Sequence, residues 1–255
     1  VPIQEYLSDE GVLEVVIDLP PVNAIDITSL AALAALFDGL GSRPEVKAVV
    51  LRGEGKGFVG GGDVKEVQRL DGFAGILGQA NGSVGLTDAV HSCSIPVIAA
   101  VHTYCIGLGV LIAGACDIVV ADRGCRFVLA EVDNGATGGA IQAIGLMPDK
   151  RLRLAMFTCE PVLAEELAGY GTVMTVDEPA HVHPEAVRIA RVIAHKQTSV
   201  VRAAKRAING SVGRDISRLY RQELSYTYEL NMTGDASAAR ETFVSGERNG
   251  YLSQE

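Results

Sequence analysis

Apolar residues along this chain follow two different periods. Short β-branched runs at 12–19, 46–52 and 96–101 read as strands, with shorter ones at 117–121 and 126–129. Between them the spacing turns helical. Asp26 can cap a helix over 27–40 whose apolar positions include Leu30, Leu33 and Leu40. A helix follows Asp63, a longer one runs from about 73 to 92, and small residues dominate a helix at 107–115. From Gly139 onward the pattern is helical, apart from a short strand at 173–176. Residues 184–195 and 199–208 read as surface helices. Residues 215–231 form a long amphipathic one carrying Leu219, Leu224, Tyr226, Tyr228 and Leu230. Strands alternate with helices first and helices dominate later, which predicts an α/β fold with a helical C-terminal region.

Composition narrows the function classes. The 255 residues suit one large domain, and 48% hydrophobic residues supply an ample core. A net charge of −9 argues against binding a nucleic-acid backbone. Cys93, Cys105, Cys116, Cys125 and Cys159 are odd in number and in no zinc spacing, so they read as buried free thiols in a reducing cytoplasm. A nucleophilic Cys105, beside a glycine turn, is the sharper alternative. No basic, apolar leader opens the sequence, and the longest apolar stretch, 106–115, is too short to span a bilayer. No metal site and no cofactor is expected.

The chemistry concentrates in two glycine turns, each leading from a strand into a helix. They are Phe58-Val59-Gly60-Gly61-Gly62-Asp63 and Tyr104-Cys105-Ile106-Gly107-Leu108-Gly109. A helix start offers unpaired N–H groups and the positive end of a dipole, and glycine lets a ligand approach the backbone. Two such ends converging on one point would hold the charge that develops on a carbonyl oxygen. Neither turn ends in Gly-Lys-Ser/Thr, so neither reads as a nucleotide phosphate loop.

In order along the chain, these turns and their neighbours resemble the crotonase superfamily, the enoyl-CoA hydratases and isomerases. Val22-Asn23-Ala24 resembles the first acyl-CoA contact segment. Gly60-Gly61-Gly62-Asp63-Val64-Lys65-Glu66 resembles the signature Ala-Gly-Ala-Asp-(Ile/Leu)-Lys-Glu. Pro96-Val97-Ile98-Ala99-Ala100-Val101 leads into the second turn, and Cys116-Asp117-Ile118 and the run 127–131 keep the register. The resemblance implies a spiral of ββα units over residues 1–195. It also implies a C-terminal helical region, 196–255, that packs in homotrimers or hexamers. The implied ligand is an acyl-CoA thioester, with coenzyme A part of the substrate. Its oxygen would lie on the N–H groups of Gly62 and Leu108. The substrate would lie near Val22, Ala24, Gly60, Asp63, Val64, Lys65, Leu111 and Gly139. Arg52, Lys56 and Lys65 are candidate partners for the CoA phosphates; each also reads as an ordinary surface charge.

Family hydratases use two glutamates. In this register the first falls on Leu111 and the second on Glu131. Syn hydration needs one group to activate water and another to protonate carbon. A single carboxylate suits double-bond isomerisation or C–C hydrolysis better, so the expected catalytic residues are Glu131 with Asp133 as its nearest partner. Asp63, Tyr104 and His102 are weaker substitutes: Asp63 reads as a helix cap and His102 as a buried, bonded residue. His181 and His183 read as surface residues in a polar loop. The segment Thr137-Gly138-Gly139-Ala140 lacks the proline of the family's Pro-Gly-Ala-Gly-Gly stretch, which points to a reshaped pocket floor. The nearest branch resemblance is to crotonases that hydrolyse a ring of a steroid-derived bicyclic dione CoA thioester. It rests on Pro20-Pro21-Val22-Asn23-Ala24-Ile25, the 63–69 helix start, the missing first glutamate and Tyr226-Thr227-Tyr228-Glu229-Leu230-Asn231. Gly60 to Gly62, Leu108 and Leu129-Ala130 depart from it. The alternative from another class is a non-catalytic acyl-CoA-binding homologue, against which the retained Glu131 speaks.

Overall fold

The computed structural model describes residues 2–70, 73–213 and 215–245. Its frame is a six-stranded sheet in the order β1 (Ile3–Leu7), β2 (Val12–Ile17), β4 (Ala48–Gly53), β6 (Val97–Val101), β8 (Ile118–Asp122) and β11 (Met174–Val176). β1 joins antiparallel and the others are parallel. Parallel strands are buried on both faces, and the alternation along them shows it. Val49, Leu51, Val97, Ala99 and Val101 face the main core, while Ala48, Val50, Ile98, Ala100 and Val120 face a second apolar layer.

Three strands of this sheet each continue into a short strand of a smaller sheet and then a helix. β4 leads to β5 (Gly61–Gly62) and the helices α2 (Val64–Arg69) and α3 (Ala74–Ser92). β6 leads to β7 (Tyr104–Ile106) and α4 (Leu108–Ala115). β8 leads to β9 (Arg126–Val128), a 3-10 turn (Val132–Asn134) and α5 (Ala140–Ala143). The long strands pair with each other, β7 pairs parallel with β9, and Val59 bridges Cys105. Each ββα unit therefore stacks on the last by one strand spacing, about 4.8 Å: this is the expected crotonase-like spiral. β3 (Ala24–Ile25) pairs with β5, and α1 (Ile27–Gly39), capped by Asp26 onto the Ser29 N–H at 2.6 Å, packs on α3.

The rest of the chain is α6 (Asp149–Thr158), β10 (Val162–Leu163), α7 (Ala164–Gly169), α8 (Pro179–Ala194), α9 (Thr198–Val212), α10 (Ile216–Thr233) and α11 (Asp235–Ser245). Two expectations need correction. α8 begins five residues before 184, so Pro184 lies inside it and His181 and His183 sit on a helix, still exposed, not in a loop. Nor is α8 a plain surface helix. Val182, Ala186, Ala190 and Ala194, spaced four apart, lie flat on the second face of the sheet, and that burial outweighs the hydrogen bond Pro184 cannot make. β1 and the two-residue strands were not expected; their pairing depends on distant partners. Residues 246–255 of the expected C-terminal region lie outside the described residues. Among the described residues no helix is long and apolar enough to cross a membrane.

Candidate active site

The stacking brings three equivalent points together, one from the end of each short strand. Ile106 N–H donates to Val59 O at 2.9 Å and Gly107 N–H to Val128 O at 2.8 Å, so the first turn, the second turn and the strand before Glu131 lie side by side. A β-carbon built on Gly107 would stand 3.8 Å from Gly61 Cα and 3.4 Å from Glu131 Oε1. Gly107 has φ +51, Gly61 has φ +112, and a β-carbon on Gly109 would meet Val59 O at 2.6 Å. These glycines are required by backbone geometry and by the closeness of the two turns.

The same geometry frees two N–H groups. Asp63 N–H donates to Ile25 O at 2.9 Å; ladder bonds alternate along a strand, so the Gly62 N–H points away from β3. Leu108 heads α4 behind Gly107, which supplies no capping side chain, so its N–H is one of the helix's unpartnered first donors. The expected pair of donors therefore sits on adjoining turns.

Asn23 anchors the first contact segment. At φ +57 it turns inward, accepts from Leu19 N–H at 2.9 Å and faces the carbonyls of Glu54, Gly57 and Phe58 at 2.9–3.1 Å with its amide nitrogen. Val22 is left exposed and its carbonyl accepts from Gly60 N–H at 2.9 Å, which sets Val22 and Ala24 against the first turn. Asp63 caps α2 by accepting from Lys65 and Glu66 N–H at 2.9 and 3.0 Å, as its position predicted. Lys56, Val64 and Lys65 lie on this rim, the two lysines exposed. Arg52 is a correction: Glu14 at 3.3 Å and Glu54 at 2.6 Å hold its guanidinium, so it is not free to meet phosphate.

Glu131 has an Oε2 shut off from solvent with no hydrogen-bond partner. Burial pushes its carboxyl up to about 8; the charge of Glu223 adds to this and its own backbone N–H opposes it. Leu111, 2% exposed, packs on Gly139, where a β-carbon would come within 2.7 Å of Leu111 Cδ1; the resemblance puts the family's first glutamate at this position. Gly139 has φ +113 and admits no other residue easily.

The substitutes for the missing glutamate are dispersed. Asp133 turns inward, but its carboxyl meets the Cys159 thiol, and its Oδ2 is buried without a hydrogen-bond partner. Tyr104 packs its ring over Gly57. His102, half-buried, bonds Gly55 O at 3.1 Å and lines a cavity of about 400 Å³ with Arg52, Glu54 and His183, on the α8 side. Cys105 is fully buried and desolvation lifts its thiol far above its ordinary value, which removes it as a nucleophile.

Sequence reasoning missed what α10 contributes. Tyr220, Glu223, Leu224 and Thr227 share one helical face. Glu223 accepts from the N–H groups of Gly139, Ala140 and Ile141 at 2.7, 3.1 and 2.9 Å, capping α5. Thr137 binds Glu223 O and Thr227 Oγ1, both at 2.9 Å. Tyr220, 4% exposed, bonds Ser83 of α3 and lies close enough to Glu131 and Glu223 for their charges to raise its hydroxyl further. Gln79 of α3 lies on Gly62. The 3.6-residue pattern of α10 predicts which residues share a face; nothing local says that this face meets residues more than 80 positions earlier.

The sequence pattern of the enoyl-CoA hydratase/isomerase family matches residues 8–249. Over 243 residues the chain is 38% identical to the (7aS)-7a-methyl-1,5-dioxo-2,3,5,6,7,7a-hexahydro-1H-indene-carboxyl-CoA hydrolase of Mycobacterium tuberculosis, covering 95% of this chain and 98% of that protein. It is 31% identical over 246 residues to a short-chain-enoyl-CoA hydratase of Clostridium acetobutylicum, covering 93% of each. Its fold matches the crystal structure of an enoyl-CoA hydratase from Mycobacterium avium subsp. paratuberculosis with a TM-score of 0.85, at 23% identity over 98% of each chain.

Proposed function

This chain belongs to the enoyl-CoA hydratase/isomerase family, and from that premise we propose that it hydrolyses a carbon–carbon bond in an alicyclic diketo-acyl-CoA thioester, of the kind produced in steroid-ring breakdown. The observation that supports this reading is the Glu131 carboxylate beside the glycine turns, its Oε2 shut off from solvent without a partner, with Leu111 where the family register puts the first glutamate.

The reaction divides among few groups. Glu131 takes a proton from water, whose oxygen adds to a ring ketone. The C–C bond to that carbonyl then breaks, and its electron pair passes into the thioester enolate. The N–H groups of Gly62 and Leu108 hold the enolate oxygen; removal of one such donor typically costs about 3–4 kcal/mol of transition-state stabilisation. Glu131 returns its proton to carbon, leaving a CoA thioester and a new carboxylic acid, which ionises to solvent. A carboxyl with a pKa of about 8 suits both halves of this shuttle near neutral pH. The apolar wall of Leu111 suits an alicyclic acyl group. The adenine end would lie along Val22, Ala24 and the 60–64 turn, with Lys56 and Lys65 beside the phosphates.

Asp133 remains a second candidate acid or base, supported by its buried, unpaired oxygen. Assembly as a homotrimer or hexamer fits the exposed apolar residues Phe157, Val200, Ile208 and Met232, which are 61–79% exposed. The non-catalytic alternative gains no support, since the matching relatives carry enzyme names. The test is to incubate the protein with the indene-dione CoA thioester and with crotonyl-CoA. Addition of water with ring opening on the first, and slow turnover of the second, is expected. Rapid crotonyl-CoA hydration with no ring opening would overturn the reading.

A further inference from the structure

Gln79 projects from α3 onto the α-carbon of Gly62, the residue whose N–H the proposed reaction assigns to the thioester oxygen. A β-carbon at position 62 would come within 2.8 Å of the Gln79 Cδ. The chain departs here from the signature it otherwise resembles: glycine replaces alanine at 62, and the carboxamide occupies the space the methyl group would take. The amide is under-bonded. A primary amide offers two donors and two acceptor lone pairs. The single bond described for this one runs from Nε2 to Ile25 O at 3.4 Å, close to the distance limit, and Oε1 is shut off from solvent without a partner. A ligand carbonyl is an acceptor and cannot serve Oε1; what the amide holds for it is the second N–H of Nε2, for which no bond is described. Its backbone is firmly held: Ser83 Oγ donates to Gln79 O at 2.8 Å, and Ser83 also bonds Tyr220.

The chemistry of the proposed reaction requires a further donor, and the inference rests on that reading. Water adding to a ketone puts negative charge on the ketone oxygen before the C–C bond breaks. Gly62 and Leu108 are then engaged with the thioester oxygen. We propose that Gln79 donates a hydrogen bond from Nε2 to a second carbonyl oxygen of the acyl group, and so selects dicarbonyl CoA thioesters over simple acyl ones.

Affinities for acetoacetyl-CoA and butyryl-CoA, measured by calorimetry in a Glu131→Gln background to prevent turnover, test it. The parent is expected to favour acetoacetyl-CoA by about tenfold or more, as one retained hydrogen bond in a desolvated site allows. Gln79→Met is expected to bring the ratio near unity while butyryl-CoA affinity holds. Gly62→Ala, which pushes a methyl into the amide's place, is expected to reduce the ratio in the same direction. With Glu131 restored, Gln79→Met is expected to slow ring opening by on the order of 10²-fold. No preference in the parent, or a preference that survives Gln79→Met, overturns the role of Gln79. If the dione is not cleaved but the ratio behaves as stated, the function reading falls and the contact stands.

Discussion

Glu131 Oε1 stands 3.4 Å from the place a β-carbon on Gly107 would occupy, so the glycine that leads into α4 and the Glu131 carboxylate share a boundary. Glu131→Gln is expected to lower C–C hydrolysis by on the order of 10²–10⁴-fold while leaving CoA-ligand affinity within a few fold. Steady-state kinetics with parallel calorimetry checks both. Gly107→Ala, forced into φ +51, is expected to cost about 1–3 kcal/mol of stability and to impair the same step.

The raised carboxyl has a pH signature. Glu131 moves from 4.5 to about 8 on folding. Between those values the folded chain keeps a proton that the unfolded chain has released, so this group's contribution to stability falls as pH rises through the window. The melting temperature of Glu131→Gln relative to the wild type is expected to increase from pH 5 to pH 8 and then level off. The ring-opening rate, which uses the base form, is expected to rise toward pH 8.

Glu223 caps three N–H groups that have no other partner in α5. Glu223→Ala is expected to cost about 1–3 kcal/mol. It also removes a charge that raises Glu131, so the pH–rate midpoint is expected to move to lower pH. Thermal denaturation and a pH–rate profile separate these effects; an unmoved midpoint would show that the two carboxylates do not interact.

Leu111→Glu restores the residue type that a hydratase carries at this point, against Gly139 in a fully apolar setting. Burial disfavours its charged form. The variant is expected to be less stable than the wild type by more at pH 8 than at pH 5, read from denaturation curves, and to gain crotonyl-CoA hydration.

Lys205, 5% exposed, fastens α9 to the sheet through Asp117 Oδ2 at 2.7 Å and Ile95 O at 3.1 Å, while the same Asp117 oxygen accepts from Val97 N–H at 2.7 Å. Lys205→Met leaves Asp117 without its counter-charge. A loss of about 3 kcal/mol in urea denaturation is expected, the low end for a buried pair because Asp117 is 24% exposed.

Most of the spiral was legible because its signals are local. The strands at Ala48–Gly53 and Val97–Val101, the caps Asp26 and Asp63, and the helix start after Gly107 all follow from neighbouring residues. The misread elements are those decided at a distance: α8 continues through Pro184 because the sheet beneath it buries a stripe of small side chains. Arg52 looked available for phosphate until the fold set Glu14 beside it.

The sequence by itself determined the glycine turns, the presence of Glu131 and the loss of its partner at Leu111, since each is a residue identity in a fixed register. Tertiary structure alone decided that α10 returns to cap Gly139 with Glu223, and that Gln79 fills the space left by Gly62. Those contacts join side chains of one helix to backbone of another element, and no short-range pattern in either element encodes the pairing. The protonation of Glu131 belongs to the same class: a carboxyl's pKa follows from burial and nearby charge, and both exist only once the chain has folded.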